Sequence, residues 1–176
     1  MRALVDNTRN LSDRELDAIK AHGGVVQVTP FNNYLVPPPA DFHEKVRALR
    51  TQFGLDPDFP EGPIGFAQGA DALPAERHQA FIRGLAALYP RASVKEYVDQ
   101  IDYIVKRIGI DHVGIGSDFN HGSGIIGFSD ESEAPNVTRE LLRRGYEEAQ
   151  IAKIWGGNFL RVFSEVQAVS HKLSKS

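Results

Sequence analysis

The residues best suited to chemistry lie in the segment 112–122, which reads HVGIGSDFNHG. Its apolar and glycine residues predict a buried strand that ends near Asp118 and opens into a glycine-rich loop. In parallel α/β folds the loops after the strand ends build the active site, so the Asp118 carboxylate is a candidate catalytic group. The alternative is that Asp118 only caps a turn or pairs with an arginine, since turns favour aspartate for backbone reasons.

Length and composition restrict what can surround this segment. The chain has 176 residues, 41% hydrophobic and 24% charged, with a net charge of −3 and no cysteine. These values predict a single soluble globular domain over residues 1–176, without disulfides or thiolate metal sites and with no feature that favours nucleic acid. No signal-peptide pattern and no stretch long enough to span a bilayer is present, so we expect a cytoplasmic protein.

The hydrophobic pattern alternates helices with two apolar strands. Helices are predicted after capping boxes at Ser12–Glu15 and Ser93–Glu96, where a serine and a glutamate satisfy amides at the start of a helix reciprocally. The second of these helices covers 94–108. The other predicted helices are at 41–53, 75–88, 136–144 and 147–155, followed by a break at 156–158 and a final helix from Phe159, and the predicted strands are at 25–31 and 112–119. Residues 32–34 are predicted to lie in a loop, and the tail 170–176 to be frayed.

One segment of irregular composition interrupts this alternation. Residues 54–74 are rich in proline, glycine and aspartate and predict a long excursion loop. A loop of this length is usually a functional lid or a subunit contact, or else a partly disordered insert.

The predicted elements do not complete a fold. Two parallel strands leave unpaired edges on both sides and cannot cover their apolar faces. An eight-stranded barrel usually needs roughly 250 residues. The pattern therefore indicates an α/β protein that corresponds to the C-terminal part of a TIM-type (β/α)8 barrel, rich in helices and with few strands.

Several segments resemble the membrane (renal) dipeptidase family of zinc dipeptidases, which have a TIM-barrel fold. They follow in the family's order over nearly the whole chain, and the match is weakest at 54–92. The matching segments are DNTRNL at 6–11, FNNY at 31–34, YVDQIDYI at 97–104, GIGSDF at 114–119, NVTRELLRRG at 136–145 and IAKIWGGNFLRV at 151–162.

The resemblance implies a metal site that this chain does not itself supply. In the family, two zinc ions are held by an early His-x-Asp pair, a bridging glutamate and two later histidines, all of which would precede residue 1. The six histidines of this sequence show no ligand spacing of their own. We therefore expect no zinc to be held by this chain alone and no activity without a further segment.

The resemblance places the substrate side of the site in this chain. Arg9 aligns with the arginine that grips the dipeptide carboxylate, a role suited to a guanidinium fork. Asp118 aligns with the acidic residue that meets the substrate amino end and assists proton transfer. Asn33 and Tyr34 are further candidates for substrate binding.

Two departures from the family fall near these residues. The family usually reads Asp-Phe-Asp-Gly where this chain has Asp118 followed by Phe, Asn120, His121 and Gly, so we expect the loop to differ in shape from that of its relatives. Asn120 and His121 are loop candidates for that reason, although a loop histidine need not touch substrate. Gln100 stands where many relatives carry a histidine.

We therefore predict that the chain is the C-terminal part of a dipeptidase-like metallo-hydrolase and that it carries substrate-binding residues. Its expected partners are a dipeptide and either an N-terminal half or further copies of the chain. The competing interpretation is a non-catalytic remnant or a binding module that keeps the outer helices of the barrel. Zinc content and dipeptide turnover distinguish the two.

Overall fold

The computed structural model of the protein describes residues 1–60 and 63–175, and helices predominate among them. The strands are β1 (Val26–Val28) and β2 (Val113–Ile115). The helices are α1 (Asp13–Ala21), α2 (Asn32–Leu35), α3 (Phe42–Phe53), α4 (Pro63–Phe66), α5 (Ala75–Ala87), α6 (Val94–Ile108), α7 (Ala134–Arg143), α8 (Glu148–Ala152) and α9 (Asn158–Leu173).

Strands β1 and β2 pair in parallel, with Gln27 opposite Gly114. Both are shorter than predicted, although the Gly116 N–H still donates to the Val28 carbonyl oxygen at 2.7 Å. The carboxyl ends of parallel strands meet at one edge of a sheet. The segments 29–34 and 116–122 therefore emerge side by side, and residues 32–34, predicted as loop, belong to the short helix α2 there.

The chain, treated as one domain from its sequence, divides into two compact units. The sheet unit comprises residues 1–37 and the described residues from Arg91 onward, and the helical unit comprises Pro38–Pro90. Each unit has its own hydrophobic core.

The core of the sheet unit forms around α6. Its residues Tyr97, Ile101 and Ile104 are fully buried at helical spacing, together with Leu16 of α1 and Val113 of β2. Both predicted capping boxes are confirmed, at Ser12 with Glu15 and at Ser93 with Glu96. The start of α6 is thus fixed by local hydrogen bonds, and its apolar face determines which side packs against the sheet.

The Tyr97 hydroxyl ties α6 to the sheet. It donates to the Val28 carbonyl oxygen at 2.8 Å and lies 3.2 Å from the Gly116 carbonyl oxygen. Burial raises the pKa of this hydroxyl well above its ordinary value. It therefore acts as a neutral donor at the carboxyl ends of both strands.

We expect Tyr97→Phe to lower the free energy of unfolding by about 1–2 kcal/mol, because a buried carbonyl loses a hydrogen bond while the ring still fills its space. Chemical denaturation measures the change. As a control, Tyr103→Phe removes a partly exposed hydroxyl whose acceptor, Asp13, keeps its ion pair with Arg107, so a smaller loss is expected. Equal stability of Tyr97→Phe and wild type would contradict a role of the hydroxyl in joining α6 to the sheet.

The helical unit packs aromatic rings around α3. Phe42 contacts Phe66 and Tyr89 with ring centroids 5.2 and 4.7 Å apart. The buried Arg50 guanidinium donates to carbonyl oxygens of Phe66 and Gln68, which lie in the predicted excursion loop. The predicted loop 54–74 is not irregular throughout, because it includes α4 and a 3-10 turn at Ala70–Ala72. Residues 61–62 of this loop lie outside the described residues.

The last third of the chain differs from its predicted boundaries in three places. Helix α7 begins at Ala134, so Asn136 lies in its first turn, where its side chain donates to the Gly127 carbonyl oxygen at 2.9 Å. The break predicted at 156–158 is a π-helical turn, Lys153–Gly157, which joins α8 to α9. Residues 170–173 of the predicted tail continue α9, and Ser176 lies outside the described residues. Across the part of the chain that is described, no helix is both long and apolar enough to cross a membrane.

Candidate functional site

A cleft of about 530 Å³ opens in the sheet unit at the carboxyl ends of β1 and β2. It combines hydrophobic walls with charged and amide side chains, as ligand sites usually do. Its lining residues are Met1, Arg9, Asn10, Leu11, Val26, Gln27, Val28, Thr29, Phe31, Tyr34, Leu35, Gln100, Asp118 and His121.

Asp118 stands in this wall with an unusual backbone. Its φ of 54° and ψ of 29° place it in the left-handed region, and among the described residues it is the only non-glycine with positive φ. Aspartate visits this region more readily than most residues, yet the conformation still costs about 1–3 kcal/mol and persists where the surroundings impose it. The side chain is 37% exposed, so its carboxylate remains accessible from the cleft.

The loop after Asp118 is held to the end of β1 rather than left free. The Ser123 hydroxyl donates to the Ser117 carbonyl oxygen, and the Gly124 N–H donates to the Pro30 carbonyl oxygen at 2.9 Å. Phe119 packs edge-to-face on the buried Phe128, with centroids 5.1 Å apart. These contacts on both sides fix the turn that carries Asp118.

His121 lies one 3-10 turn beyond Asp118. Its Nδ1 is 2.7 Å from the Asp118 Oδ1, and its side chain is 73% exposed. Gly122, with φ of 79°, then carries the chain out of the turn. The imidazole and the carboxylate therefore reach the cleft as a hydrogen-bonded pair.

Arg9 enters the cleft from the N-terminal segment. The backbone N–H of Arg9 donates to the Asn7 Oδ1 at 2.9 Å, and the side-chain amide of Asn7 donates to the Asn33 carbonyl oxygen at 2.9 Å. The Asn10 amide donates to the Tyr34 carbonyl oxygen at 2.9 Å. The backbone beside Arg9 is thus fastened to α2, whereas its guanidinium has no ion pair or hydrogen bond with any described residue.

Four of the six residues predicted for the site line the cleft together: Arg9, Tyr34, Asp118 and His121. The other two do not line it. Asn33 accepts a hydrogen bond through its backbone oxygen, and Asn120 is exposed at the tip of the turn. The substrate roles of all six residues remain predictions.

Four polar residues of the cleft were not predicted as site residues: Asn10, Gln27, Thr29 and Gln100. Gln27 and Thr29 lie on and just after β1, and Gln27 is exposed in the middle of that strand. The buried Gln100 of α6 accepts a hydrogen bond from the Met1 ammonium group. The signal for Gln27 in the sequence is its polar side chain inside a run of valines at 25–28.

The described residues do not assemble a metal site. Between residues 1–60 and 63–175, no three histidine, cysteine, aspartate or glutamate side chains come together as ligands of one ion. The carboxylate and imidazole donors that line the cleft are Asp118 and His121, and they are bonded to each other.

Curated relatives match the chain over short segments. The chain is 49% identical over 74 residues to dipeptidase ataJ of Aspergillus terreus, covering 42% of this chain and 18% of that protein. It is 40% identical over 83 residues to dipeptidase 3 of Rattus norvegicus, covering 46% of this chain and 17% of that protein.

A solved structure extends the match to nearly the whole chain. The chain is 48% identical to the probable dipeptidase PvdM from Pseudomonas aeruginosa, with a TM-score of 0.74, covering 95% of this chain and 43% of that one. A metallo peptidase from Rhodobacter sphaeroides, liganded with a phosphinate mimic of the dipeptide L-Ala-D-Ala, shares the fold at 21% identity and a TM-score of 0.55, covering 90% of this chain and 32% of that one. The chain thus spans less than half the length of each of these relatives.

The family comparison covers every residue. The model of the membrane dipeptidase family, peptidase family M19, matches residues 1–176, which confirms the resemblance drawn from the sequence motifs. The chain therefore belongs to the membrane dipeptidase family.

Proposed function

We propose that this chain forms the substrate-binding side of a dipeptidase site and recognises a dipeptide with free termini. The observation that carries the proposal is that Arg9 and Asp118, an unpaired cation and an accessible anion, line one cleft. A free dipeptide is a zwitterion of complementary charges at its two ends. The names of the curated relatives, which are dipeptidases, support this substrate class.

Each charged residue suits one end of such a ligand. The Arg9 guanidinium presents parallel N–H donors that match both oxygens of a terminal carboxylate. The Asp118 carboxylate is an acceptor for the terminal ammonium and lies within a site where it can receive or return a proton at the scissile nitrogen. Tyr34 and Phe31 supply apolar wall between these polar groups.

The metal that the family implies does not fit the donors of this cleft. A protein-bound zinc ion takes about four ligands, and a pair of ions needs several more than one carboxylate and one imidazole. Asp118 and His121 moreover use each other as partners. The Asp118 carboxylate is therefore assigned to the substrate, with His121 as its hydrogen-bond partner.

We further propose that the chain corresponds to the C-terminal part of a (β/α)8 barrel, with β1 and β2 as two of its parallel strands. Polypeptide beyond these 176 residues would supply the remaining strands and the metal ligands. The paired strands support this, because among the described residues each has an unpaired edge that can take a further strand. The 43% coverage of PvdM at high structural similarity supports it too.

The second candidate function is a non-catalytic binding module of the same family. The departure at Asn120, where the family usually has an aspartate beside Asp118, favours it. A module of this kind would bind dipeptides through Arg9 and Asp118 and gain no hydrolytic activity when the rest of a barrel is supplied.

We expect Arg9→Ala to weaken binding of alanyl-alanine about 10–100-fold, because a charge-assisted pair of hydrogen bonds to the ligand carboxylate is lost. An NMR titration of the chain measures the dissociation constant. Alanyl-alanine amide lacks that carboxylate, so we expect it to bind wild type more weakly than alanyl-alanine does. Its dissociation constant should differ by less than about twofold between Arg9→Ala and wild type.

The matched control is Arg14→Ala, which removes an exposed arginine from α1, outside the cleft. It should leave binding of both ligands unchanged. If Arg9→Ala weakens the free and the amidated dipeptide equally, Arg9 does not read the carboxylate and the assignment is wrong.

A further inference from the structure

The contact between His121 and Asp118 determines the hydrogen position on the imidazole. An ionised carboxylate only accepts hydrogen bonds, so at 2.7 Å the His121 Nδ1 must carry the hydrogen that it shares with the Asp118 Oδ1. In the neutral imidazole, Nε2 is then the unprotonated nitrogen. The contact thus fixes both the tautomer of His121 and the rotamer of Asp118.

The turn that joins the two residues makes this contact local and specific. Asp118 precedes the 3-10 turn Phe119–His121, and its left-handed backbone directs the chain so that the third residue returns over the carboxylate. Asn120, which stands where the family usually has an aspartate, is exposed and makes no side-chain hydrogen bond to a described residue. His121 is the side chain that holds Asp118 here.

We propose that His121 is a positioning residue that keeps the Asp118 carboxylate in one orientation at the wall of the cleft, ready for the ammonium end of a dipeptide. The inference rests on the proposed function. A carboxylate on a free loop would lose rotamer freedom on binding, which weakens affinity, whereas a carboxylate already held by the Nδ1–H has that freedom removed in advance.

The first test concerns the contact and needs no ligand. Nitrogen-15 NMR of the imidazoles at about pH 8.5, where an ordinary histidine is neutral, reports which ring nitrogen carries the hydrogen. We expect His121 to be protonated at Nδ1. In Asp118→Gly, which removes the carboxylate and tolerates the left-handed backbone, we expect the hydrogen to move to Nε2, as in a free imidazole. An unchanged tautomer in this variant overturns the inference.

The second test separates the two ring nitrogens by substitution. The amide nitrogen of His121→Asn can occupy the place of Nδ1 and still donate to Asp118, whereas the amide of His121→Gln lies at the position of Nε2. We expect alanyl-alanine to bind the asparagine variant within about twofold of wild type and the glutamine variant about fivefold more weakly. The same two substitutions at His171, exposed on α9, should change nothing.

The outcomes decide between distinct roles. If the glutamine variant binds normally and the asparagine variant does not, His121 contacts the ligand through Nε2 and is not a positioning residue. If both bind normally, holding Asp118 has no effect on recognition and the inference is overturned. If wild type binds no dipeptide while the tautomer shifts as expected, the proposed function fails and the contact itself is upheld.

Discussion

Asp118→Asn is expected to lower dipeptide turnover by about 100-fold or more once the chain is complemented with the rest of a dipeptidase barrel. The change replaces a carboxylate by an amide of the same shape, which neither takes up a proton nor neutralises an ammonium. Asparagine tolerates the left-handed backbone at this position as well as aspartate does, so the loop should keep its course. The loss should therefore appear in turnover and leave folding unaffected.

The experiment joins the chain to the segment of PvdM that it does not cover, since that relative is 48% identical over nearly all of this chain. Alanyl-alanine hydrolysis is measured for wild type and variant at equal folded concentration. Asp111→Asn is the matched control: it makes the same change just before β2, where the carboxylate pairs with Lys153 at 2.7 Å outside the cleft. Turnover equal to wild type in Asp118→Asn would remove Asp118 from the reaction, and a folded complex without any turnover would favour the binding module.

The parts of the fold that the sequence predicted well depend on local signals. The capping box at Ser93 and the apolar periodicity of 94–108 specify α6 without reference to distant residues, and the structure has that helix at Val94–Ile108. The same holds for α3, which ends at Gly54 in the left-handed conformation that glycine favours.

Features set by longer-range packing were missed. The start of α7 was placed at Asn136, although Pro135 in its first turn is a common helix start and the asparagine side chain bonds back to Gly127. The two glycines at 156–157 indicate a break, yet packing against β2 keeps that turn helical. The second outcome depends on packing against β2, which one sequence does not show, whereas the proline was a local signal for the start of α7.

The candidate site divides in the same way. The strand pattern at 112–119 predicted Asp118 near the C-terminal end of that strand, at the edge of a parallel sheet where active sites lie. The observed strand is shorter and ends at Ile115, so Asp118 follows it. Neither its left-handed backbone nor its contact with His121 follows from residue types, since both depend on how the loop is tied to Pro30 and Ser117. Gln27 was missed because an alternating polar residue in so short a strand gives little periodicity to read.

The largest loss of stability is expected from Arg144→Ala. The Arg144 guanidinium is 13% exposed and joins α7 to α6 through Asp99 and Asp102, at 2.5 and 2.7 Å, and through Glu140 at 2.8 Å. Burial acts to lower its pKa, but the hydrogen bonds that the guanidinium donates to these carboxylates raise the pKa overall, so the group stays charged. The Tyr146 hydroxyl also donates to Asp102 at 2.7 Å, which completes a network between the two helices.

Removing the guanidinium leaves three neighbouring carboxylates without their shared cation. Removing one partner of a buried ion pair lowers the free energy of unfolding by about 3–5 kcal/mol, because the remaining charge stays desolvated. We expect a value near the lower limit, about 3 kcal/mol, since Asp99 is 44% exposed and can be hydrated. A loss of this size is a large fraction of the total stability of an ordinary domain, about 5–15 kcal/mol. Chemical denaturation followed by circular dichroism measures it.

The neighbouring arginine provides the control. Arg143 lies next to Arg144, is 65% exposed and pairs with Glu140, whose pKa is lowered to about 2 by its hydrogen bonds with Arg143 and then Arg144. Because an exposed pair is screened by water, Arg143→Ala should cost less than about 1 kcal/mol. Arg144→Lys keeps the charge but not the planar fork that reaches two helices, so it should fall between the two alanine variants. Similar losses for Arg143→Ala and Arg144→Ala would mean that the network contributes only as surface charge, and that apolar packing alone holds α6 against α7.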